Sequence, residues 1–281
     1  MAMFIMIGPA IVNIILDPIL ISWLEWGIEG AAWATTFSYF ASAGYAVWYF
    51  ASGRSELKVT LQNIWLDFKI VAEIFSIGIV TLARQGTISV LSIVLNNALF
   101  AYGGETSLSV YGIINRVMMF ANFPVLGVTQ GYIPIVGYNY GAKKWTRVRN
   151  VINLAMRSGT GIAFIVFVGI LAFAEPLSAI FTTDTELINQ TTPALRKVFI
   201  ATPLIAIQLI GSAYFQAIGK ALPALLLTLT KQGFFLIPLI LILPRYYGLD
   251  GVWYAFPIAD VSSAAITYFF LRRETATIRD L

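Results

Sequence analysis

Asn13 and Asp17 stand four residues apart, so in a helix a carboxamide and a carboxylate share one face about one turn from each other. Thr35, early in the next apolar stretch, can reach the same place. If these residues lie within a bilayer, the carboxylate costs roughly 2.5 to 3.5 kcal/mol to insert and is a candidate for taking up a proton or holding a small cation. The structural alternative is that Asp17 is wetted near an interface or sets the turn before Pro18. A second set is mainly cationic. Arg84, Arg116, Lys231 and Asp260 each fall well inside an apolar stretch, at depths where an unpaired charge is expensive, so Asp260 is expected to pair with Lys231 or an arginine. Gln85, Asn96, Asn97, Asn115 and Gln130 could satisfy the remaining donors. This set reads either as a polar network joining helices or as a solute path facing a cavity. Covalent and metal chemistry find no support. The 281 residues contain no Cys and no His, which excludes thiol and imidazole metal sites, disulfides, Cys/His dyads and serine triads with a histidine base. Asp17 and Asp260 lie in separate segments without the motifs of prenyl transfer or aspartyl proteolysis. No catalytic residue, metal ligand or cofactor is assigned; the chain is not read as an enzyme.

The elements that must position these groups are membrane spans. The chain is 58% hydrophobic and 11% charged, with a mean hydropathy of +0.80, against roughly a quarter charged in soluble domains. Apolar runs of spanning length occur at about 3–23, 30–51, 70–101, 108–137, 151–174, 194–218, 222–243 and 251–271. The expected fold is therefore an all-α polytopic membrane protein with about eight transmembrane helices; barrel strands would be half as long and would alternate in polarity. Pro124 and Pro134 predict a break, or a hinge with Gly127, in the fourth run. The short loops carry the orientation. One side would hold Arg54, Lys58, Lys69, Lys143, Lys144, Arg147, Arg149, Arg157, Lys220, Arg272, Arg273 and Arg279; the other holds Arg196, Lys197 and Arg245. The positive-inside rule makes the first side, and the C-terminus, cytoplasmic in a multi-pass cell-membrane protein. The net charge of +4 thus reflects topology and contact with anionic lipid at GAKKWTRVR, and no nucleic-acid partner is expected. The 20 Phe, 13 Tyr and 7 Trp fit interfacial belts and lipid-facing positions, and equally an aromatic cavity.

GIEGAAWA from Gly27 returns as GLDGVWYA from Gly248, an offset of 221 (248 − 27). The copies agree at Gly27/Gly248, Gly30/Gly251 and Ala34/Ala255 and are conservative at Ile28/Leu249 and Glu29/Asp250. Each opens the second helix of a hairpin. Equivalent hairpins six spans apart in the same orientation imply a parallel six-helix repeat. The second unit is then whole, and the first is represented by its last two helices. The opening span lacks a basic anchor, a cleavage site and an uninterrupted apolar stretch, so it is read as a helix and not as a signal peptide.

NIILDPILISWLEWGIEGAAWAT, GIVTLARQGTISVLSIVLNNALFAYGG, INRVMMFANFPVLGVTQGYIPIVGYNYGAKKWTRV, YFQAIGKALPALLLTLTKQ and GLDGVWYAFPIAD resemble stretches of the multidrug and toxic compound extrusion (MATE) family, GYIPIVGYNYGAKK most specifically. The chain departs from the family pattern at Tyr132-Ile133-Pro134 and at Val80. The resemblance implies a two-lobe architecture without its first four helices: 1–53 as the last two helices of the N-terminal lobe, 54–69 as a cytoplasmic linker and 70–281 as a six-helix C-terminal lobe. It also implies efflux of small organic, mostly cationic, solutes by alternating access, driven by protons or, as the lesser expectation, sodium. Asn13, Asp17 and Thr35 match part of the family's cation-responsive site. A further carboxylate of that site belongs to a helix preceding this chain, so the site would be incomplete here unless another chain supplies the segment. Sodium-coupled members carry acidic groups where this chain has only Glu73. Two other readings are a flippase for a lipid-linked anionic precursor, suggested by the midplane cations, and a shortened lobe inactive in transport.

Overall fold

The computed structural model describes residues 2–53 and 68–277. The expected linker therefore falls almost wholly outside the described residues, as do Arg54, Lys58 and Arg279 of the charge tally. The chain divides into two compact units, Met1–Glu73 and Ile74–Leu281.

In the first unit, α1 (Ala2–Pro18) runs into a π-helical turn, Ile19–Trp23, and after a short bend packs against α2 (Gly27–Ala51). Pro18 lacks an N–H, and the following turn is widened so that the Leu24 amide donates to the Ile19 carbonyl at 3.0 Å. The repeat motif explains the hairpin. Gly27 takes the left-handed backbone (φ +54), and a Cβ at Gly30 would stand 2.7 Å from the Leu20 carbonyl oxygen. In the second unit Gly248 (φ +57) and Gly251 do the same work, the latter with the Leu243 backbone at 2.6 Å. Both copies thus spend one glycine on the turn and one on close approach of the returning helix.

The second unit opens within the helical segment Phe68–Gly141, which breaks at Gly104 (φ 66, ψ −162) into arms 68–103 (α3) and 105–141 (α4). Ser107 staples this break by donating to the carbonyls of Leu99 (2.7 Å) and Gly104 (2.8 Å). There follow α5 (Trp145–Ala172), a short connecting helix α6 (Ala174–Phe181), and α7 (Thr185–Val198). Asp184 caps α7 by accepting from the Glu186 amide at 2.9 Å. A single turn of 3-10 helix, Phe199–Ala201, joins α7 to α8 (Thr202–Ala217). The chain continues through α9 (Ala221–Leu229), a π turn Thr230–Leu236, α10 (Ile237–Ile242), α11 (Pro244–Tyr247) and α12 (Leu249–Thr277). Among the described residues five stretches are long and apolar enough to cross a membrane, 82–141 of which turns back at Gly104. α8 is central, packing against both α5 and α12.

One expectation fails. Pro124 and Pro134 lie inside α4, and Gly104 is the segment's one non-helical position. A proline removes one backbone bond, which neighbouring helices and side chains can offset in a packed bundle.

Two apolar clusters form the core of the second unit. One gathers Leu95, Leu99, Ile114, Leu195, Leu236, Trp253 and Ala259 among others; the second gathers Val136, Val148, Ala206, Ile210, Tyr214, Leu227 and Leu271. Large apolar residues also face outward, such as Ile14, Phe40, Ile165 and Tyr246, as the lipid-facing surface of a multi-pass membrane protein requires.

Candidate functional site

Among the described residues each unit has a carboxylate within an apolar helix and near a π-helical turn, and the two are held differently. In the first unit the Asn13 carboxamide donates to Asp17 Oδ1 at 3.3 Å, the i,i+4 contact expected from the spacing. Both side chains are half-buried. Asp17 sits directly before Pro18 and the widened turn, where the backbone leaves regular helical bonding. Thr35 does not join them. Its hydroxyl donates to the Ala31 carbonyl of its own helix at 3.0 Å. Among the described residues Asp17 has no cationic partner.

In the second unit Lys231 Nζ and Asp260 Oδ1 form an ion pair at 2.5 Å, with Asp260 buried and the Lys231 side chain 19% exposed. Lys231 projects from the π turn of 230–236, and Asp260 lies 11 residues into α12 (260 − 249), about 16 Å from its start. The pair falls at the junction of the two apolar clusters, since Leu227 and Leu271 belong to one and Leu236 and Ala259 to the other. Buried Thr230, Ser263 and Gln208 lie along the same seam. Gln208 Nε2 reaches the Leu227 carbonyl at 3.4 Å, linking α8 to the helix whose bonding the π turn interrupts. The expected pairing of Asp260 is therefore with Lys231 and not with an arginine.

The remaining members of the expected network are not brought to this pair. Arg84 is 20 residues before the Gly104 break (104 − 84), about 30 Å along α3. It lines a small cavity with Gln216, Gly219, Ala221 and Thr228 at the α8–α9 turn. Its distance from the break and its neighbours at the α8–α9 turn place it toward one end of the unit and not at mid-depth. Arg116 directs its guanidinium over the Phe181 ring, 6.0 Å from the centroid, toward the connecting helix. Gln85, Asn115 and Gln130 are exposed on the second unit. The excess of midplane cations that suggested an anionic lipid-linked cargo thus shrinks: Lys231 is neutralised, Arg84 is terminal and Arg116 is turned aside.

Composition gave no sign of the two π turns. Their local signal is a proline flanking the turn: Pro18 directly before the first, and Pro238, which cannot donate to the Phe234 carbonyl, just beyond the second.

The MatE family model matches residues 81–242. The Multidrug export protein MepA of Staphylococcus aureus (strain MSSA476) is 29% identical over 269 residues, which cover 95% of this chain and 59% of that protein. A solved structure described as the outward-facing conformation of a multidrug resistance MATE family transporter of the MOP superfamily aligns at a TM-score of 0.82 and 25% identity, over 100% of this chain and 63% of that one. One described as the inward-facing conformation of such a transporter aligns at 0.85 and 25%, over 99% and 65%. The chain thus spans about three-fifths of the length of the curated relatives it matches.

Proposed function

This chain belongs to the MatE family, and from that premise we propose that the complete protein exports small organic, mainly cationic, solutes across the cell membrane by proton antiport. In this reading residues 1–53 contribute the last two helices of the N-terminal lobe, 54–69 are the linker, and residues 70–281 correspond to the six-helix C-terminal lobe. The basic loops and the C-terminus face the cytoplasm. Likeness to multidrug exporters supports the cargo class, and likeness to both outward- and inward-facing transporters supports alternating access.

The observation that carries the coupling reading is the contrast between the two carboxylates. Asp260 is locked to Lys231, whereas Asp17 is held by a neutral carboxamide and has no cationic partner among the described residues. A carboxylate that must alternate between charged and neutral forms within a bilayer needs a setting in which neither form is prohibitively costly. A hydrogen-bonding amide provides that, and a buried ammonium does not. Protonation of Asp17 then removes a half-buried charge beside the widened turn and biases the lobes between states. The test is ethidium efflux from cells producing the complete protein, with and without a protonophore. Efflux should collapse with the proton gradient and in Asp17→Asn, with membrane insertion unchanged. Efflux that ignores both, or follows an imposed sodium gradient instead, overturns the reading.

A further inference from the structure

The half of the second unit that bears the 141–145 turn contains a cleft of about 1100 Å³ between α5 and α12, floored by α8 at Ile207. Close packing on both sides of α8 creates it. On α5 a Cβ at Gly159 would meet Ile210 Cδ1 at 2.7 Å, and on α8 a Cβ at Gly211 would meet Thr267 Cγ2 of α12 at 2.3 Å. With those faces turned to α8, helical spacing sends Arg149, Arg157 and Phe164 of α5, and Tyr268 and Arg272 of α12, into the space between.

The polarity of this cleft is ordered along the membrane normal. Arg149 and Arg272 lie toward the ends of their helices, where the 141–145 turn and the C-terminal segment emerge; Phe164 and Tyr268 lie further toward the middle of the bilayer and are about half exposed. Arg157 stands 12 residues after Trp145 (157 − 145), about 18 Å along α5, so its guanidinium must extend along the cleft toward the basic end. Among the described residues no carboxylate lines the cleft, and Arg149, Arg157 and Arg272 enter none of the ion pairs. Three guanidinium groups above an apolar trough open to lipid call for a ligand that is anionic at one end and aliphatic along the other.

We propose that this cleft is a binding site for an anionic phospholipid of the adjacent leaflet, its phosphate held by Arg157 and Arg272 with Arg149 at the rim, and an acyl chain lying along Ile207 and Phe164. Such a lipid bridges α5 and α12, helices that otherwise meet through α8. It neutralises guanidinium groups that form no ion pair among the described residues. The site requires membrane insertion but is independent of the proposed transport activity.

The experiment compares thermal unfolding of the purified protein in nanodiscs of phosphatidylcholine alone and mixed with phosphatidylglycerol, with native mass spectrometry counting retained lipids. Phosphatidylglycerol should be retained and should raise Tm. R157Q/R272Q should weaken its preference over phosphatidylcholine on the order of tenfold or more, whereas R147Q, which removes charge outside the cleft, should change it far less. A preference lost equally in R147Q, or absent from the parent, overturns the proposal. So does an equal rise in Tm from inorganic phosphate in phosphatidylcholine. Should R157Q/R272Q fail to fold, Phe164→Trp provides the second measurement: its added fluorescence should be quenched more by brominated phosphatidylglycerol than by brominated phosphatidylcholine, and equal quenching refutes the site.

Discussion

Replacing Asp260 by Asn leaves the Lys231 ammonium without its counter-ion at the junction of two apolar clusters. Asp260 is only 6% exposed and the Lys231 side chain 19%, so water replaces the carboxylate only in part. Breaking a buried pair from one side costs about 3 to 5 kcal/mol. The second unit comprises 208 residues (281 − 74 + 1), and for a unit of that size about 1 kcal/mol shifts Tm by 2 to 4 °C, so a fall of roughly 6 to 20 °C is expected. Lys231→Gln should cost a comparable amount. The double variant Lys231→Met/Asp260→Leu removes both charges and should recover most of the loss, because well-packed apolar groups often replace a buried pair without penalty. Tryptophan fluorescence can follow the melt, since Trp253 is buried in the cluster that also contains Ala259. The decisive quantity is the coupling between the two sites. Single-variant losses that simply add in the double variant, or an Asp260→Asn protein that melts with the parent, would refute the assignment of this pair as the polar lock of the seam.

The hairpin motif yields a matched pair of tests: Gly30→Ala and Gly251→Ala each place a Cβ against backbone at 2.7 and 2.6 Å, and each should cost about 1 to 3 kcal/mol by overpacking; parent-like melting of either would contradict the shared role. Gly211→Ala should destabilise similarly because its Cβ meets Thr267 Cγ2 at 2.3 Å, and adding Thr267→Ser, which deletes that methyl group, should restore most of the loss; no restoration would locate the cost elsewhere. The Lys197–Asp250 pair, with side chains 26% and 53% exposed, should contribute less than about 1 kcal/mol, so Lys197→Met should melt near the parent, and a large loss would show the pair to be less solvated than its exposure indicates.

Much of this was legible in the residues. The apolar runs marked the spans, GIEGAAWA and GLDGVWYA marked two hairpins that use their glycines alike, and the four-residue spacing of Asn13 and Asp17 gave their hydrogen bond. The pairing of Asp260 followed from the cost of burying charge. What stayed hidden depended on longer-range geometry. A run of apolar residues does not show where a helix ends relative to the bilayer, so Arg84 read as central although it lies at the α8–α9 turn. Prolines signal lost backbone bonds but not whether neighbours restore them, so no break occurs within 108–137, and the non-helical position is Gly104, between the third and fourth apolar runs. Arg149, Arg157 and Arg272 read as topological charges, because only the packing of α5 and α12 around α8 brings them into one cleft.

The central claim is that Asp17 exchanges protons as solute moves. The most direct measurement follows proton movement with a pH-sensitive dye in proteoliposomes holding the complete protein, after ethidium is added to one side only. The account predicts proton movement opposite to ethidium in the parent and in the Lys231→Met/Asp260→Leu variant, and its loss in Asp17→Asn. Undiminished proton movement in Asp17→Asn, or ethidium transport without proton movement in the parent, would contradict it.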